Sequence, residues 1–278
     1  MLWPSRSIGR GATMQGIADY RFIRPLGEGS HGTFYLAVPP PRLGLEAEHV
    51  AVKVLAGATN EESVRRTTRE LRAFASAQSP YLVTLFDAGQ QDGSFFYSMQ
   101  YFPMGSLAEP IRPLKPAEVF TAVAQAALAA HALHEAGIVH RSIKPENILL
   151  QEDGARLSDL GLAEALAPGA TVTGLGPIGA VEYVEPSILL GKRGSRASDI
   201  WSLAITLHRA LTGIGVYGDL PAKDALFAVR KVLSSAPQLS PALDPAVAAV
   251  LSRALAPEPA DRQPDAQTFA REVQALAG

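Results

Sequence analysis

Residues 140–150 read HRSIKPENILL, so several polar side chains stand directly ahead of a short apolar run. This pattern is typical of a functional loop that leads into a buried strand. Residues 157–161 read LSDLG and place Asp159 twelve residues after Asn147. An asparagine and an aspartate on the ends of neighbouring strands can share an oxygen-loving Mg²⁺ ion. Each residue taken singly is more often structural, but their order is hard to obtain by chance.

A glycine-rich segment lies nearer the N-terminus, where residues 27–32 read GEGSHG. This G-x-G-x-x-G pattern is a weak signal alone, because two nucleotide-binding folds use it and glycines also occur in ordinary hairpins. A dinucleotide-binding fold needs a helix directly after the glycines, whereas residues 33–38 are strand-like here. Gly27, Gly29 and Gly32 are therefore predicted to lie in a hairpin whose backbone can approach phosphates, since no side chains intervene.

The secondary-structure pattern changes near residue 105. Before it, β-rich runs surround one helical stretch at 60–77, where Val64, Leu71 and Phe74 recur at helical spacing. The predicted strands cover residues 20–26, 33–38, 49–55, 82–88 and 94–101. The predicted helices after residue 105 cover residues 117–136, 196–211, 222–233, 245–256 and 265–276. A small, mostly β lobe followed by a larger, mostly helical lobe is the simplest arrangement.

Composition and charge exclude several function classes. The 278 residues carry a net charge of −2, which argues against nucleic-acid binding because such proteins show a basic footprint. The absence of cysteine excludes disulfides, thiolate zinc sites and a cysteine nucleophile. No apolar run reaches the roughly 18 residues of a membrane span. Residues 1–16 are expected to be a flexible leader without an export signal, so we expect a cytoplasmic protein without membrane contact.

The order of glycine loop, strand lysine, polar loop and aspartate resembles the protein kinase superfamily, specifically bacterial Ser/Thr kinases. The strand VAVK at residues 50–53 matches the family's V-A-I-K, and the resemblance covers residues 20–276. It implies an α+β, bilobal protein kinase-like fold. The N-lobe is expected at about residues 17–103 and the C-lobe at about residues 104–278.

The resemblance also implies a site for ATP and Mg²⁺ between the lobes. In the family the strand lysine, here Lys53, pairs with a helix glutamate, for which Glu70 is the candidate. Asn147 and Asp159 match the metal-binding residues, and Lys144 matches the lysine of the catalytic loop. The residues that the resemblance places around the nucleotide are Gly27, Gly29, Gly32, Phe34, Ala51, Lys53, Glu70, Met99, Tyr101 and Leu149.

The chain departs from the family pattern in the middle of the catalytic loop. The family has an aspartate there that accepts and orients the substrate hydroxyl, whereas this chain has Ser142. A neutral hydroxyl cannot take up a proton as a carboxylate can, and a positioned general base is worth about 10²–10⁴ in rate. Ala180 replaces a threonine that contacts the missing aspartate in the family. The two changes are coherent, because each residue would lose its partner.

Further departures lie outside the catalytic loop. Ser187 replaces the glutamate that in the family pairs with the arginine matching Arg262. A buried arginine without a partner is costly, so Glu182 or Glu185 is expected to reach Arg262 instead. Phe34 stands where the family usually has a valine over the adenine, and its ring is expected either to stack on the base or to fill part of the slot. Leu160 replaces the phenylalanine of the family's D-F-G.

Three functions are compatible with this pattern. The leading hypothesis is a pseudokinase that binds ATP or ADP, with Mg²⁺, and acts as a regulatory or scaffolding partner of another protein. The second is a weakly active Ser/Thr protein kinase that transfers the γ-phosphate of ATP to protein hydroxyls. The third is a nucleotide-free interaction domain, for which Phe34 is the only evidence.

Overall fold

The computed structural model describes residues 16–29, 32–55, 61–159, 178–221 and 224–277. The first part of the chain forms one antiparallel sheet and one helix. These elements are β1 Gly16–Ile17, β2 Tyr20–Gly29, β3 Gly32–Val38, β4 Val50–Leu55, helix α1 Glu61–Ser76, β5 Leu85–Gln91 and β6 Ser94–Gln100. The strands lie in the order β1-β2-β3-β4-β6-β5, so β4 is central and has β3 and β6 as neighbours.

Side chains alternate along each strand, so the sheet has two faces with separate cores. Ala51, Tyr97 and Met99 point to the face that packs with Leu71 and Phe74 of α1. The opposite face carries a smaller core formed by Ile17, Tyr20, Ala37, Val50, Val52 and Phe96. The face of Ala51 belongs to the large core that continues into the helical part of the chain, so its polar residues are held at the junction of the two parts.

The second part of the chain is helical apart from one hairpin. Its elements are α2 Pro116–Glu135, β7 Ile148–Gln151, β8 Gly154–Leu157, α3 Pro186–Leu189, α4 Arg196–Thr212, α5 Ala225–Ser234, α6 Pro245–Ala254 and α7 Ala266–Gln274. The alanine-rich α2 is buried along most of its length and packs against α4, α7 and the β8 strand. No helix within the described ranges combines the length and apolar character needed to cross a bilayer.

Most element predictions agree with the structure, and one strand is displaced. The strand predicted at 82–88 begins at Leu85, because Leu82 and Val83 pair instead with Leu157 at the end of β8. The helix predicted from residue 222 begins after Asp224, whose carboxylate accepts a hydrogen bond from the Phe227 amide. Such an N-cap satisfies one of the amides that the first turn leaves unpaired.

The hairpin of β7 and β8 places the polar loop under the sheet. The Leu157 amide donates to the Tyr81 carbonyl at 2.8 Å, and the Val83 amide donates to the Leu157 carbonyl at 3.1 Å. These bonds join the two lobes and hold Asp159, two residues further on, below the sheet. The α+β, bilobal arrangement predicted from the sequence is confirmed. Of the predicted leader, only Gly16 lies within the described residues, and it pairs with Arg21.

Candidate nucleotide site

The strand register places the side chains of Phe34, Lys53 and Tyr97 in one row across the sheet. Phe34 on β3 is directly opposite Lys53 on β4, and Lys53 is directly opposite Tyr97 on β6. Residues directly opposite each other point to the same face of a sheet, which here is the face toward α1 and the helical lobe. The Phe34 ring centroid lies 4.9 Å from Lys53 Nζ. The row therefore encloses the lysine between two aromatic rings.

A buried cluster joins this row to the polar segment after β8. Lys53 Nζ donates to Asp159 Oδ1 at 2.5 Å, and the Tyr97 hydroxyl donates to the same oxygen at 2.9 Å. Lys53 and Tyr97 are each only 2% exposed. Burial lowers the pKa of Lys53, while the Asp159 charge raises it. Burial also raises the pKa of Tyr97 well above its usual value, so its side chain is a neutral phenol that donates.

A second lysine stands close to this cluster. Lys144 is buried, and its charge is among the causes that lower the pKa of Lys53. Two neighbouring cations at one cleft produce a positive electrostatic potential that attracts anions such as phosphate. Glu70 lies half-buried on α1, and its pairing with Lys53 stays a prediction. Lys53 forms an ion pair with Asp159.

The catalytic-loop position is organised around Asn147. Asn147 Nδ2 donates to the Ser142 carbonyl at 2.7 Å and to Ser142 Oγ at 3.1 Å. The Ser158 amide donates to the Asn147 carbonyl at 2.8 Å, which ties this loop to the strand end before Asp159. Burial lowers the pKa of His140, and its neutral ring lies 3.0 Å from the Ser158 carbonyl through Nε2. By the sequence resemblance, Ser142 stands at the position of the family's carboxylate, and its hydroxyl is held by Asn147.

Asp199 anchors the catalytic loop from below. This residue lies in the first turn of α4, is fully buried, and accepts hydrogen bonds from the amides of His140 at 2.8 Å and Arg141 at 2.9 Å. Its Oδ2 also lies 2.7 Å from His134 Nε2 on α2. Arg141 has a φ of 66°, a conformation uncommon outside glycine, so the loop depends on this support. The sequence pattern predicts a helix at 196–211 but does not reveal this role of Asp199.

Tyr97 is the other residue that sequence reasoning missed. Its signal was available in the strand register: Met99 pairs with Ala51, so the residue two places earlier pairs with Lys53. Counting back two residues requires knowing which strands are neighbours, and β4 and β6 are separated by α1 and β5 along the chain. Tyrosine is also common in buried strands, so the residue type alone did not indicate a polar role.

The predicted glycine loop and adenine slot are partly described. Gly27 has a φ of 152° at a register irregularity between β2 and β3, and a Cβ on Gly32 would lie 2.2 Å from the Val54 carbonyl. Residues 30–31 at the tip lie outside the described residues, as does Leu160. Of the residues predicted around the adenine, Ala51, Met99 and Leu149 are buried, and Phe34 and Tyr101 are half-buried.

The replacement partner predicted for Arg262 is confirmed. Arg262 Nη2 donates to Glu185 Oε1 at 3.0 Å, and both side chains are buried. The guanidinium also donates to the carbonyls of Ala197 and Ala256 and lies 5.0 Å from the Trp201 ring. The other candidate, Glu182, instead accepts a hydrogen bond from the Val216 amide. The family's missing glutamate is therefore replaced from two residues earlier in the chain.

The comparisons with known proteins agree with this architecture. The chain belongs to the protein kinase domain family, whose sequence profile matches residues 20–272. It is 30% identical over 262 residues to the serine/threonine-protein kinase PrkC of Bacillus subtilis, covering 92% of this chain and 40% of that protein. It is 32% identical over 269 residues to the serine/threonine-protein kinase PknH of Mycobacterium tuberculosis, covering 90% of this chain and 41% of that protein.

A solved structure gives the same result for the fold. The crystal structure of the kinase domain of PknI from Mycobacterium tuberculosis superimposes with a TM-score of 0.66 at 27% identity. The match covers 96% of this chain and 100% of that one. The chain spans about two fifths of the length of the curated relatives named above. The kinase fold and its bacterial Ser/Thr kinase relatives are therefore established for this chain.

The residues present fit the nucleotide and metal that the family generally uses. Asn147 and Asp159 offer amide and carboxylate oxygens, the hard ligands that Mg²⁺ prefers. Within the described part of the chain, no three histidine, aspartate or glutamate side chains form a metal site by themselves. A metal held by Asn147 and Asp159 would therefore need phosphate oxygens to complete its shell. Lys53 and Lys144 would supply the positive charge for those phosphates.

Proposed function

We propose that this domain is a pseudokinase: it binds a nucleotide between its lobes, has lost efficient phosphotransfer, and regulates a partner protein by binding it. The observation that carries this proposal is the hydroxyl of Ser142 at the position of the catalytic carboxylate, held 3.1 Å from Asn147 Nδ2. A serine hydroxyl has too high a pKa to remove a proton from a substrate hydroxyl at neutral pH. The positioned base, worth about 10²–10⁴ in rate, is therefore missing.

Nucleotide binding is supported by the groups that remain. When bound, ATP with Mg²⁺ would supply the transferable phosphate and neutralise its charge. The chain contributes Lys53 and Lys144 as cations, and Asn147 and Asp159 as oxygen ligands. All four side chains are buried at the junction of the lobes. These four groups therefore offer the positive charge and the oxygen ligands that a bound nucleotide with Mg²⁺ would use.

The departures are linked, which supports natural divergence towards binding. Loss of the base at Ser142 accompanies loss of the neighbouring hydroxyl at Ala180. In contrast, loss of the glutamate at Ser187 is compensated by Glu185, which pairs with Arg262. The changes therefore remove groups needed for transfer while the ion pair that supports the fold is kept. A domain retained for its surface and its nucleotide site shows this pattern.

Thermal unfolding in the presence of nucleotide tests the proposal. We expect millimolar ATP or ADP to raise the melting temperature, because a ligand that binds only the native state stabilises it. Lys53→Met is expected to remove that rise, since the methionine keeps the volume but loses the charge. The matched control is Lys192→Met, a change of an exposed lysine on the helical lobe. A melting temperature unaffected by either nucleotide would refute nucleotide binding and favour a nucleotide-free interaction domain.

Restoring the missing carboxylate tests the loss of transfer. Ser142→Asp is expected to raise phosphate transfer to a generic protein substrate by less than about 10-fold, well below the full value of a general base. The reason is that Ala180 still lacks the hydroxyl that the family places beside that aspartate. Transfer is measured with radiolabelled ATP, with Lys53→Met as the background. A gain of about 100-fold or more from the single change would contradict the account of linked losses.

The second candidate is a weakly active Ser/Thr protein kinase. It is favoured by the retained convergence of Lys53, Lys144, Asn147 and Asp159 and by relatives that are named Ser/Thr protein kinases. Phosphoryl transfer is mostly positioning and electrostatic stabilisation, so these groups could support a low rate without the base. Transfer by the unaltered chain that disappears in Lys53→Met would identify this function in place of the first.

A further inference from the structure

The carboxylate of Asp159 has two donors of different kinds. Lys53 Nζ is 2.5 Å from Oδ1 and the Tyr97 hydroxyl is 2.9 Å from the same oxygen. The lysine sits on a flexible four-carbon chain, whereas the phenol sits on a rigid ring in the middle of β6. The Tyr97 ring belongs to the large core with Leu71, Phe74 and Met99. The phenol is thus fixed in place, and the lysine is the donor that can move.

Nucleotide binding would redistribute these contacts. Lys53 can turn its ammonium from Asp159 towards a phosphate, but the two acceptors then compete for it. Asp159 is only 6% exposed, and a buried carboxylate that loses its partner is strongly destabilised. A divalent cation can supply the lost partner. The Tyr97 hydroxyl can also supply it, because it keeps its hydrogen bond to Asp159 whichever way the lysine points.

We propose that the Tyr97 hydroxyl takes the place of the divalent cation at Asp159, so that this cleft binds nucleotide phosphates without Mg²⁺. The inference rests on the proposed nucleotide binding and specifies its metal requirement. Tyr97 acts here as a positioning residue, since it holds Asp159 and does not itself contact the phosphate. The positive charge for the phosphates comes from Lys53 and Lys144. The two lysines are close enough that the charge of Lys144 lowers the pKa of Lys53.

The dissociation constant of ADP, measured calorimetrically with excess Mg²⁺ and again with excess EDTA, tests this inference. The unaltered protein is expected to show two values within about 3-fold of each other. Tyr97→Phe keeps the ring and removes only the donor. In the free Tyr97→Phe protein Asp159 keeps Lys53 as its partner, but in the nucleotide-bound protein without Mg²⁺ it would lose both donors. A hydrogen bond to a charged group corresponds to about a 10-fold change in an equilibrium constant, so binding in EDTA should weaken by about that factor. Binding with Mg²⁺ should change by less than about 3-fold, because the cation then replaces the phenol.

Tyr35→Phe is the matched control. Tyr35 lies on β3, points to the opposite face of the sheet from Phe34, and stacks on Phe22. Both dissociation constants should stay as in the unaltered protein. If Tyr97→Phe weakened ADP binding equally in Mg²⁺ and in EDTA, or in neither condition, the inference would be overturned.

ADP binding by the unaltered protein is by itself enough to distinguish the remaining outcomes, even if Tyr97→Phe does not fold. Binding that needs Mg²⁺ would overturn this inference and leave the proposed nucleotide-binding function intact. Absence of ADP binding under both conditions would overturn both. Equal binding under both conditions supports the inference, and the loss specific to EDTA in Tyr97→Phe assigns it to the hydroxyl.

Discussion

Replacing Asp199 by alanine is expected to lower the free energy of unfolding by about 3–5 kcal/mol, the range seen when one partner of a buried charged group is removed. The carboxylate is fully buried and joins α4 to two more N-terminal segments, to α2 through His134 and to the catalytic loop through the amides of His140 and Arg141. Alanine would leave both amides and the imidazole without their acceptor. The Arg141 backbone, at a φ of 66°, would lose the contact that holds it there.

Chemical denaturation and thermal melting measure this effect. For a domain of this size 1 kcal/mol corresponds to about 2–4 °C, so the melting temperature should fall by roughly 10 °C. Asp199→Asn keeps the volume and one acceptor oxygen, so its loss should be smaller. Asp219→Ala, at an exposed aspartate on the same lobe, should stay within about 0.5 kcal/mol of the unaltered protein. An Asp199→Ala protein as stable as the Asp219 control would show that the loop does not depend on this anchor.

Replacing Glu185 by alanine should have the second-largest effect, a loss of about 3 kcal/mol, at the lower end of the range for breaking a buried ion pair. Arg262 would remain buried beside Trp201 without its carboxylate. The guanidinium would keep its bonds to the carbonyls of Ala197 and Ala256, which limits the loss. The effect is read from urea unfolding curves of the two proteins.

A compensating substitution makes this test specific. Ser187 occupies the position where the family has its glutamate, so Ser187→Glu in the Glu185→Ala background should recover part of the lost stability. Glu258→Ala removes an exposed glutamate near Arg262 and is the matched control, with an expected change within about 0.5 kcal/mol. If Glu185→Ala were no less stable than the Glu258 control, the pair with Arg262 would not be the compensation that the structure indicates.

The predictions for Asp199 and Glu185 concern residues that support the site, whereas those for Ser142 and Tyr97 concern its chemistry. Asp199 and Arg262 hold the catalytic loop and the segment near residue 185 in their family-like positions. These contacts support the kinase fold, whereas the proposed loss of phosphotransfer concerns only the chemistry at Ser142. A kept fold with an altered site is what the proposed function requires.

Local sequence determined most of the fold and the family. Helical spacing in α1 and alternation in β4 and β6 depend on neighbours a few residues apart, and the order of the motifs around Lys53, Asn147 and Asp159 is a property of the chain itself. The replacement of the base by Ser142 is also visible in the sequence alone. The partner of Arg262 could be limited to two glutamates, because a buried guanidinium requires a carboxylate.

Only the tertiary structure decided the contacts between distant segments. Tyr97 meets Asp159 from 62 residues away, and Asp199 reaches His140 from 59 residues away. The choice of Glu185 over its neighbour three residues earlier depends on which side chain faces the buried guanidinium. The strand predicted at 82–88 was displaced for the same reason, since Leu82 and Val83 pair with Leu157 across the lobes. A shift of one residue in strand register would turn Tyr97 to the other face of the sheet, and that register is set by packing of the whole domain, not by local preference.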